Sequence, residues 1–114
     1  MERARPFYRD VLGPRCIAST VTSCVLQFQE SWLLLVTGGG PTRDKPGVPL
    51  AAPSDPATVS HLFTIRVPDC RAAYETLLGR GAIFLTPPVD RGTEVRCFFR
   101  DPDGHLFEIN EARG

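Results

Sequence analysis

The chain has 114 residues, 13 basic and 13 acidic, and 42% of its residues are hydrophobic. This size and composition predict one folded domain with a hydrophobic core and exclude a disordered chain. Balanced charge without a basic stripe argues against a nucleic-acid partner. The longest apolar run, residues 32–36, is too short to cross a bilayer, so we expect no membrane partner either.

The first third of the chain predicts a short helix followed by three strands. Apolar residues recur at helical spacing at Ala4, Phe7, Tyr8, Val11 and Leu12. Gly13 and Pro14 end this helix. Residues 15–21, 22–29 and 32–37 then alternate as the strands of a half-buried antiparallel sheet.

A loop and a second set of elements follow. Residues 38–56 hold four glycines and five prolines and predict an irregular segment. Residues 61–67 predict a strand, and Asp69 is placed to cap a helix that runs to about Arg80. The remaining predicted strands are 82–85, 94–100 and 105–110, the last two joined by a turn at 101–104.

An internal repeat relates the two halves. Residues 3–13 align with residues 70–79 so that Tyr8 falls on Tyr74 and Gly13 on Gly79, an offset of about 66 positions. We therefore expect a single domain, 1–114, built from module one (1–37), a linker (38–59) and module two (60–114). At the same offset the opening strand of module one would precede residue 1, so we expect that module to lack it.

The four cysteines, at positions 16, 24, 70 and 97, show no metal-binding or redox spacing. Each lies in an apolar periodic stretch, which predicts buried free thiols. Free thiols are typical of the reducing cytoplasm, so we expect a cytoplasmic protein.

Three segments carry a family resemblance: FYRDVLG at 7–13, VPDCRAAYETLLGRGA at 67–82 and FFRDPDGHLFEI at 98–109. In this order they resemble the vicinal oxygen chelate superfamily, which includes glyoxalase I, bleomycin-resistance proteins, fosfomycin-modifying enzymes and ring-cleaving dioxygenases. The resemblance implies an α+β fold in which two βαβββ modules form a curved mixed sheet shaped as a cup, commonly in a homodimer.

Enzymes of that superfamily usually bind a divalent metal (Zn, Ni, Mn or Fe) through a histidine on the first strand and a glutamate on the last strand of a module. Glu108, four residues after Gly104, matches the glutamate. The corresponding position of module one is Leu35, which cannot bind a metal. The histidine position of module two falls on Leu62, and His61 is displaced by one residue, which turns a strand side chain to the opposite face.

Few candidate ligands therefore remain: Glu108, and His61 if a bulge restores it to the cup. His105 has the opposite strand parity to Glu108 and is better explained as a turn-flanking residue. A catalytic metal needs about three protein ligands, so we expect no tightly bound metal and no other cofactor.

The sequence favours a homodimeric, cytoplasmic protein that binds a small organic molecule. By repeat register, Leu33 and Leu35 line the cup on the same side as Glu108 and provide its apolar half. The alternative is a metal-dependent glyoxalase-like lyase or transferase that uses His61 and Glu108, with its N-terminal strand missing from this chain.

Overall fold

The computed structural model of the chain describes residues 2–13, 15–19, 23–28 and 31–113. These residues form an α+β structure of helices and two β-sheets, as expected. The chain divides into two compact units, Met1–Ser54 and Asp55–Gly114, and each unit contains one sheet.

The first unit begins with helix α1 (Ala4–Pro6), which continues directly into a π-helical segment, Phe7–Leu12. Gly13 ends the helix with a φ of 85°, and its amide donates a hydrogen bond of 2.9 Å to the Tyr8 carbonyl. Glycine suits this end because a Cβ disfavours positive φ. The predicted helix and its glycine stop are confirmed.

Three antiparallel strands complete the first unit: β1 (Arg15–Ser19), β2 (Ser23–Phe28) and β3 (Ser31–Val36), in the order β1-β2-β3. The three predicted strands are thus confirmed, except that positions 14, 20–22, 29 and 30 lie outside the described residues. Residues 37–54, all described, contain no named helix or strand, although an isolated bridge pairs Gly39 with Leu50.

The second unit contains strand β4 (Phe63–Arg66), helix α2 (Cys70–Gly79), and strands β5 (Val89–Asp90), β6 (Glu94–Arg100) and β7 (Leu106–Ala112). The sheet order is β4-β7-β6-β5. Strand β4 is parallel to β7, and the other neighbours are antiparallel. One strand, a helix and three strands follow one another, which is the βαβββ order expected for module two.

Helix α2 begins as predicted, because the Asp69 carboxylate accepts a 3.0 Å hydrogen bond from the Ala72 amide. Gly81, with a φ of 103°, follows the helix end at Arg80. Among the described residues there is no helix with the length and hydropathy that a bilayer crossing requires.

One predicted strand is wrong. Residues 82–85 form only an isolated bridge, in which Phe84 pairs with Phe99, and the Leu85 amide donates to the Phe98 carbonyl. The edge of the sheet is instead β5, at Val89–Asp90. Pro87 and Pro88, which have no N–H to continue a strand ladder, separate the bridge from β5.

The core of the second unit lies between α2 and one face of its sheet. The buried side chains there are Val95, Cys97, Phe99, Phe107 and Ile109. Cys70 of α2 packs against this face, with its Sγ 3.9 Å from Cys97 Sγ. Buried and half-buried residues alternate strictly along β6, as its sequence predicts. The opposite face of the sheet therefore points away from α2.

Candidate functional site

The sheet face of the second unit that points away from α2 is unusually polar, and we call it the polar face. Strand pairing places Thr64 of β4 beside Glu108 of β7, and Glu108 opposite Phe98 of β6. Since paired residues point to the same side of a sheet, all four strands contribute to this face. Its side chains are Thr64, Arg66, Val89, Glu94, Arg96, Phe98, Arg100, Leu106, Glu108, Asn110 and Ala112.

Glu108 lies at the centre of the polar face and is only 7% exposed. Its Oε1 accepts a hydrogen bond of 2.7 Å from the Thr64 hydroxyl. Its Oε2 accepts one of 3.1 Å from Asn110 Nδ2. No Arg, Lys or His in the described part of the chain forms a salt bridge with Glu108. Two neutral donors thus hold this buried carboxylate in place.

Asn110 is the second buried polar residue of the face, at 5% exposure. Its Nδ2 donates to Glu108 and also to Glu94 Oε2, at 2.8 Å. Its Oδ1 is buried and accepts no hydrogen bond from the described residues. The asparagine therefore bridges two carboxylates through its nitrogen and leaves its oxygen unused.

Glu94 connects this group to the half-buried rim of the face. Its Oε1 accepts a hydrogen bond of 2.9 Å from Arg96 Nη1, and the guanidinium of Arg96 lies 5.5 Å from the centre of the Phe98 ring. The hydrogen bond from Asn110 and, secondarily, the charge of Arg96 hold the pKa of Glu94 below its usual range. Glu94 is therefore an ionised acceptor at neutral pH.

His61 lies on the other side of the sheet from Glu108. Its ring is exposed, contacts Phe63 edge-on at 5.8 Å between centroids, and has Nδ1 3.3 Å from the Ser60 hydroxyl. Phe63 in turn packs on Phe107, 5.2 Å away, and Phe107 belongs to the core face. Consecutive residues Phe107 and Glu108 point to opposite faces, so His61 and Glu108 are directed apart.

The residues of the second unit do not fit the divalent metal that the family resemblance implies. Both Glu108 oxygens already accept hydrogen bonds, and the His61 ring packs on the opposite side of the strand. Nowhere in the described ranges do three or more His, Cys, Asp or Glu side chains gather as metal ligands would. His105 is set at the turn, where its backbone amide donates to Asp101 Oδ1 at 2.8 Å.

The two leucines predicted to line the cup lie on strand β3 of the first unit. Leu33 pairs with Leu26 and Leu35 with Cys24, and both leucines are half-buried. Leu26 and Cys24, only 1% exposed, share that face, whereas Leu34 is 49% exposed on the other side. Leu33 and Leu35 therefore lie on the buried face of their sheet.

The two residues that donate hydrogen bonds to Glu108 are Thr64 and Asn110, and neither is among the site residues predicted from the sequence. Asn110 could have been found, because it lies two residues after Glu108 on a strand and must share its face. Thr64 could not, because its pairing with Glu108 joins residues 44 positions apart and depends on strand register.

Comparisons with known proteins agree on the fold. A glyoxalase/bleomycin resistance protein/dioxygenase from Nocardioides is 21% identical, with a TM-score of 0.76, over 97% of this chain and 75% of that one. The antibiotic-binding protein TnmS3 from Streptomyces sp. CB03234 is 21% identical, with a TM-score of 0.67, over 98% and 86%. The fosfomycin resistance protein FosX from Mesorhizobium loti is 16% identical, with a TM-score of 0.68, over 98% and 82%.

Because these sequence identities are low, each solved structure is evidence for the fold only. The family follows from a separate match, in which residues 1–109 fit the family model for the glyoxalase/bleomycin resistance protein/dioxygenase superfamily. That match covers nearly the whole chain and includes all three segments on which the sequence resemblance depends. The chain belongs to the glyoxalase/bleomycin resistance protein/dioxygenase superfamily.

Proposed function

We propose that this protein binds a small organic molecule on the polar face and does so without a complete metal site. The observation that carries the proposal is the environment of Glu108. At the position of the family's metal-binding glutamate, this carboxylate is buried and held by a threonine hydroxyl and an asparagine amide. Such a carboxylate serves as a fixed acceptor in a binding site.

The composition of the face supports an amphipathic ligand. Phe98 and Leu106, both half-buried, provide apolar surface beside the carboxylates of Glu94 and Glu108. Binding sites for small molecules combine apolar area with a few fixed polar groups in this way. A relative of the same fold, TnmS3, is named as an antibiotic-binding protein, which supports the same class of function.

A thermal-shift screen of natural-product antibiotics and other amphipathic compounds tests the proposal. A ligand at 100 times its Kd stabilises the folded state by about 2.7 kcal/mol. In a domain of this size we expect a rise in Tm on the order of 5–15 °C. A set in which no compound raises Tm would contradict the proposal.

A matched pair of variants assigns the binding to the polar face. Glu108→Gln removes the buried charge but keeps a similar shape, and we expect it to reduce the ligand-induced Tm rise by more than half. The control is Glu75→Gln, an exposed glutamate on α2, which should leave that rise unchanged. If both variants lose the ligand-induced Tm rise to the same extent, or if neither variant loses it, the ligand binds elsewhere.

We further propose that the protein is a homodimer in the cytoplasm. Strand β4 is an edge strand of its sheet, and Phe63 at its start and Leu62 just before it are 40% and 41% exposed, which suits pairing with a second copy. Cys24, Cys70 and Cys97 are buried and form no disulfide, which agrees with a reducing compartment. Light scattering tests the dimer, because one chain has a mass of 12.5 kDa. A monomeric mass would contradict it.

A further inference from the structure

The side-chain amide of Asn110 has a fixed orientation. Its nitrogen lies 2.8 Å from Glu94 Oε2 and 3.1 Å from Glu108 Oε2. A carboxylate only accepts hydrogen bonds, so both neighbours require the NH2 end of the amide. Turning the amide over would place its oxygen against two carboxylate oxygens and lose both bonds. The Oδ1 atom is thereby held in one direction as an acceptor.

This acceptor has no donor among the described residues, although it is buried. A buried polar group without a partner destabilises the folded state, and native structures retain few of them. Asn110 itself is 5% exposed, so the cost is not relieved by free contact with solvent. An unpaired acceptor held at this cost, in the centre of the proposed binding face, points to a ligand that supplies the donor.

Two arginines are the neighbours of Asn110 across the sheet. Strand pairing places Arg66 of β4 and Arg96 of β6 beside it on the polar face. Arg66 is exposed and Arg96 is half-buried, so the side chains next to the asparagine on this face extend to the protein surface.

We propose that Asn110 Oδ1 accepts a hydrogen bond from an N–H or O–H group of the bound molecule, so that the site selects ligands carrying a donor at this point. The inference rests on the proposed function and deepens it, because it names the group by which the ligand is recognised. A site built to bond a polar group rejects an analogue lacking that group, since its own polar atom is then left unpaired.

Three aromatic probes test the selection: benzamide, N,N-dimethylbenzamide and benzylamine. The two amides share a ring and a carbonyl, but only benzamide carries N–H donors. Titrations followed by 1H–15N NMR give the Kd and report on the Asn110 side-chain NH2 signals. We expect benzamide to bind about 5–100 times more tightly than its dimethyl analogue, which corresponds to 1–3 kcal/mol. Its addition should also shift the Asn110 signals.

The third probe shows whether the donor can be a cation. Benzylamine carries N–H donors, so we expect it, like benzamide, to bind more tightly than N,N-dimethylbenzamide. Weaker binding than the dimethyl analogue would count against a donor requirement. Equal affinities for benzamide and its dimethyl analogue, or shifts that spare Asn110, would overturn the inference.

A variant that removes the acceptor provides a second test. Asn110→Ala lacks Oδ1 and also the amide nitrogen that bonds Glu94 and Glu108. We expect this variant to bind benzamide and its dimethyl analogue with equal affinity, because the preference for an N–H donor depends on Oδ1. Glu75→Gln on α2 is the matched control and should retain the preference of the parent protein. A full preference for benzamide in Asn110→Ala, shown by circular dichroism to be folded, would contradict the inference.

Failure of this inference is distinguishable from failure of the proposed function. If none of the three probes binds, or if methylation has no effect, the donor requirement is wrong. The proposed function would still stand if compounds found in the thermal-shift screen depend on Glu108 for binding. If that screen is also empty, both proposals are wrong.

Discussion

Thr64 and Glu108 are paired across the parallel strands β4 and β7, and the Thr64 hydroxyl donates a 2.7 Å hydrogen bond to Glu108 Oε1. The threonine lies one strand away from the glutamate and 44 residues earlier in the chain. It therefore joins the first strand of the second unit to the last and fixes the direction of the carboxylate. The Asn110 amide secures the other oxygen.

Replacing Thr64 tests how much this hydrogen bond stabilises the fold. Thr64→Val keeps the shape of the side chain and removes the donor to a buried carboxylate. We expect the free energy of unfolding to fall by about 1.5–3 kcal/mol near neutral pH, the usual value of a hydrogen bond to a charged group. Urea denaturation measures the change.

Two controls accompany this variant. Thr64→Ser retains a hydroxyl and should recover most of the stability. Thr93→Val alters an exposed threonine in the same unit and should change the stability by less than about 0.5 kcal/mol. If Thr64→Ser is as unstable as Thr64→Val, the loss reflects packing and not the hydrogen bond.

The thiols of Cys70 and Cys97 should be unreactive in the folded protein. Burial raises the pKa of both, that of Cys97 to about 12 from an ordinary value of 9.0. Since the thiolate is the reactive form, alkylation by iodoacetamide near neutral pH should proceed only as fast as the protein unfolds. Peptide mass spectrometry measures each site separately. Rapid labelling of either cysteine in the native state would contradict the prediction.

The same pKa shift predicts a loss of stability in alkaline solution. Below about pH 9 the Cys97 thiol is protonated in both the folded and the unfolded chain, so its contribution is constant. As the pH rises from 9 towards 12, the unfolded chain releases this proton first, and the folded state becomes less stable. Cys97→Val should therefore show a shallower decline than the parent protein, and equal slopes would count against the assignment.

Gly104 and Gly79 form a contrasting pair. Gly104 has a φ of 95°, and an added Cβ would lie 3.1 Å from the Pro56 Cγ atom, so Gly104→Ala should destabilise the fold by about 1–3 kcal/mol. Gly79 ends α2 with open space around it, and Gly79→Ala should stabilise the fold by about 0.5–1 kcal/mol. Changes of the same sign in both variants would refute this distinction.

Local features of the fold could be predicted from the sequence because their causes are local. Asp69 caps α2 through an amide three residues away, and the Asp101–Gly104 turn is closed by a hydrogen bond between those two residues. Buried and half-buried residues alternate along β6 as its own pattern indicates. The repeat predicts a helix and strands in both units.

Features that depend on distant parts of the chain were not predictable. The alignment that places Leu35 on Glu108 also places Leu34 on Phe107, yet Leu34 is 49% exposed and Phe107 is 3% exposed. The repeat aligns Gly13 with Gly79, whereas the glycine with positive φ after α2 is Gly81. Similar sequence therefore gives similar elements but not the same buried face. The hydrogen bond from Thr64 to Glu108 was not predictable either, because it depends on the register of β4 against β7.

The most direct test of the account is the metal content of the protein after exposure to excess Zn, Ni and Mn and removal of unbound ions by gel filtration. Because Glu108 is bonded to Thr64 and Asn110 while His61 faces the other way, we predict far less than one ion per chain, unchanged in Glu108→Gln. One tightly bound ion per chain that is lost in Glu108→Gln would contradict the account and favour a metal-dependent lyase or transferase.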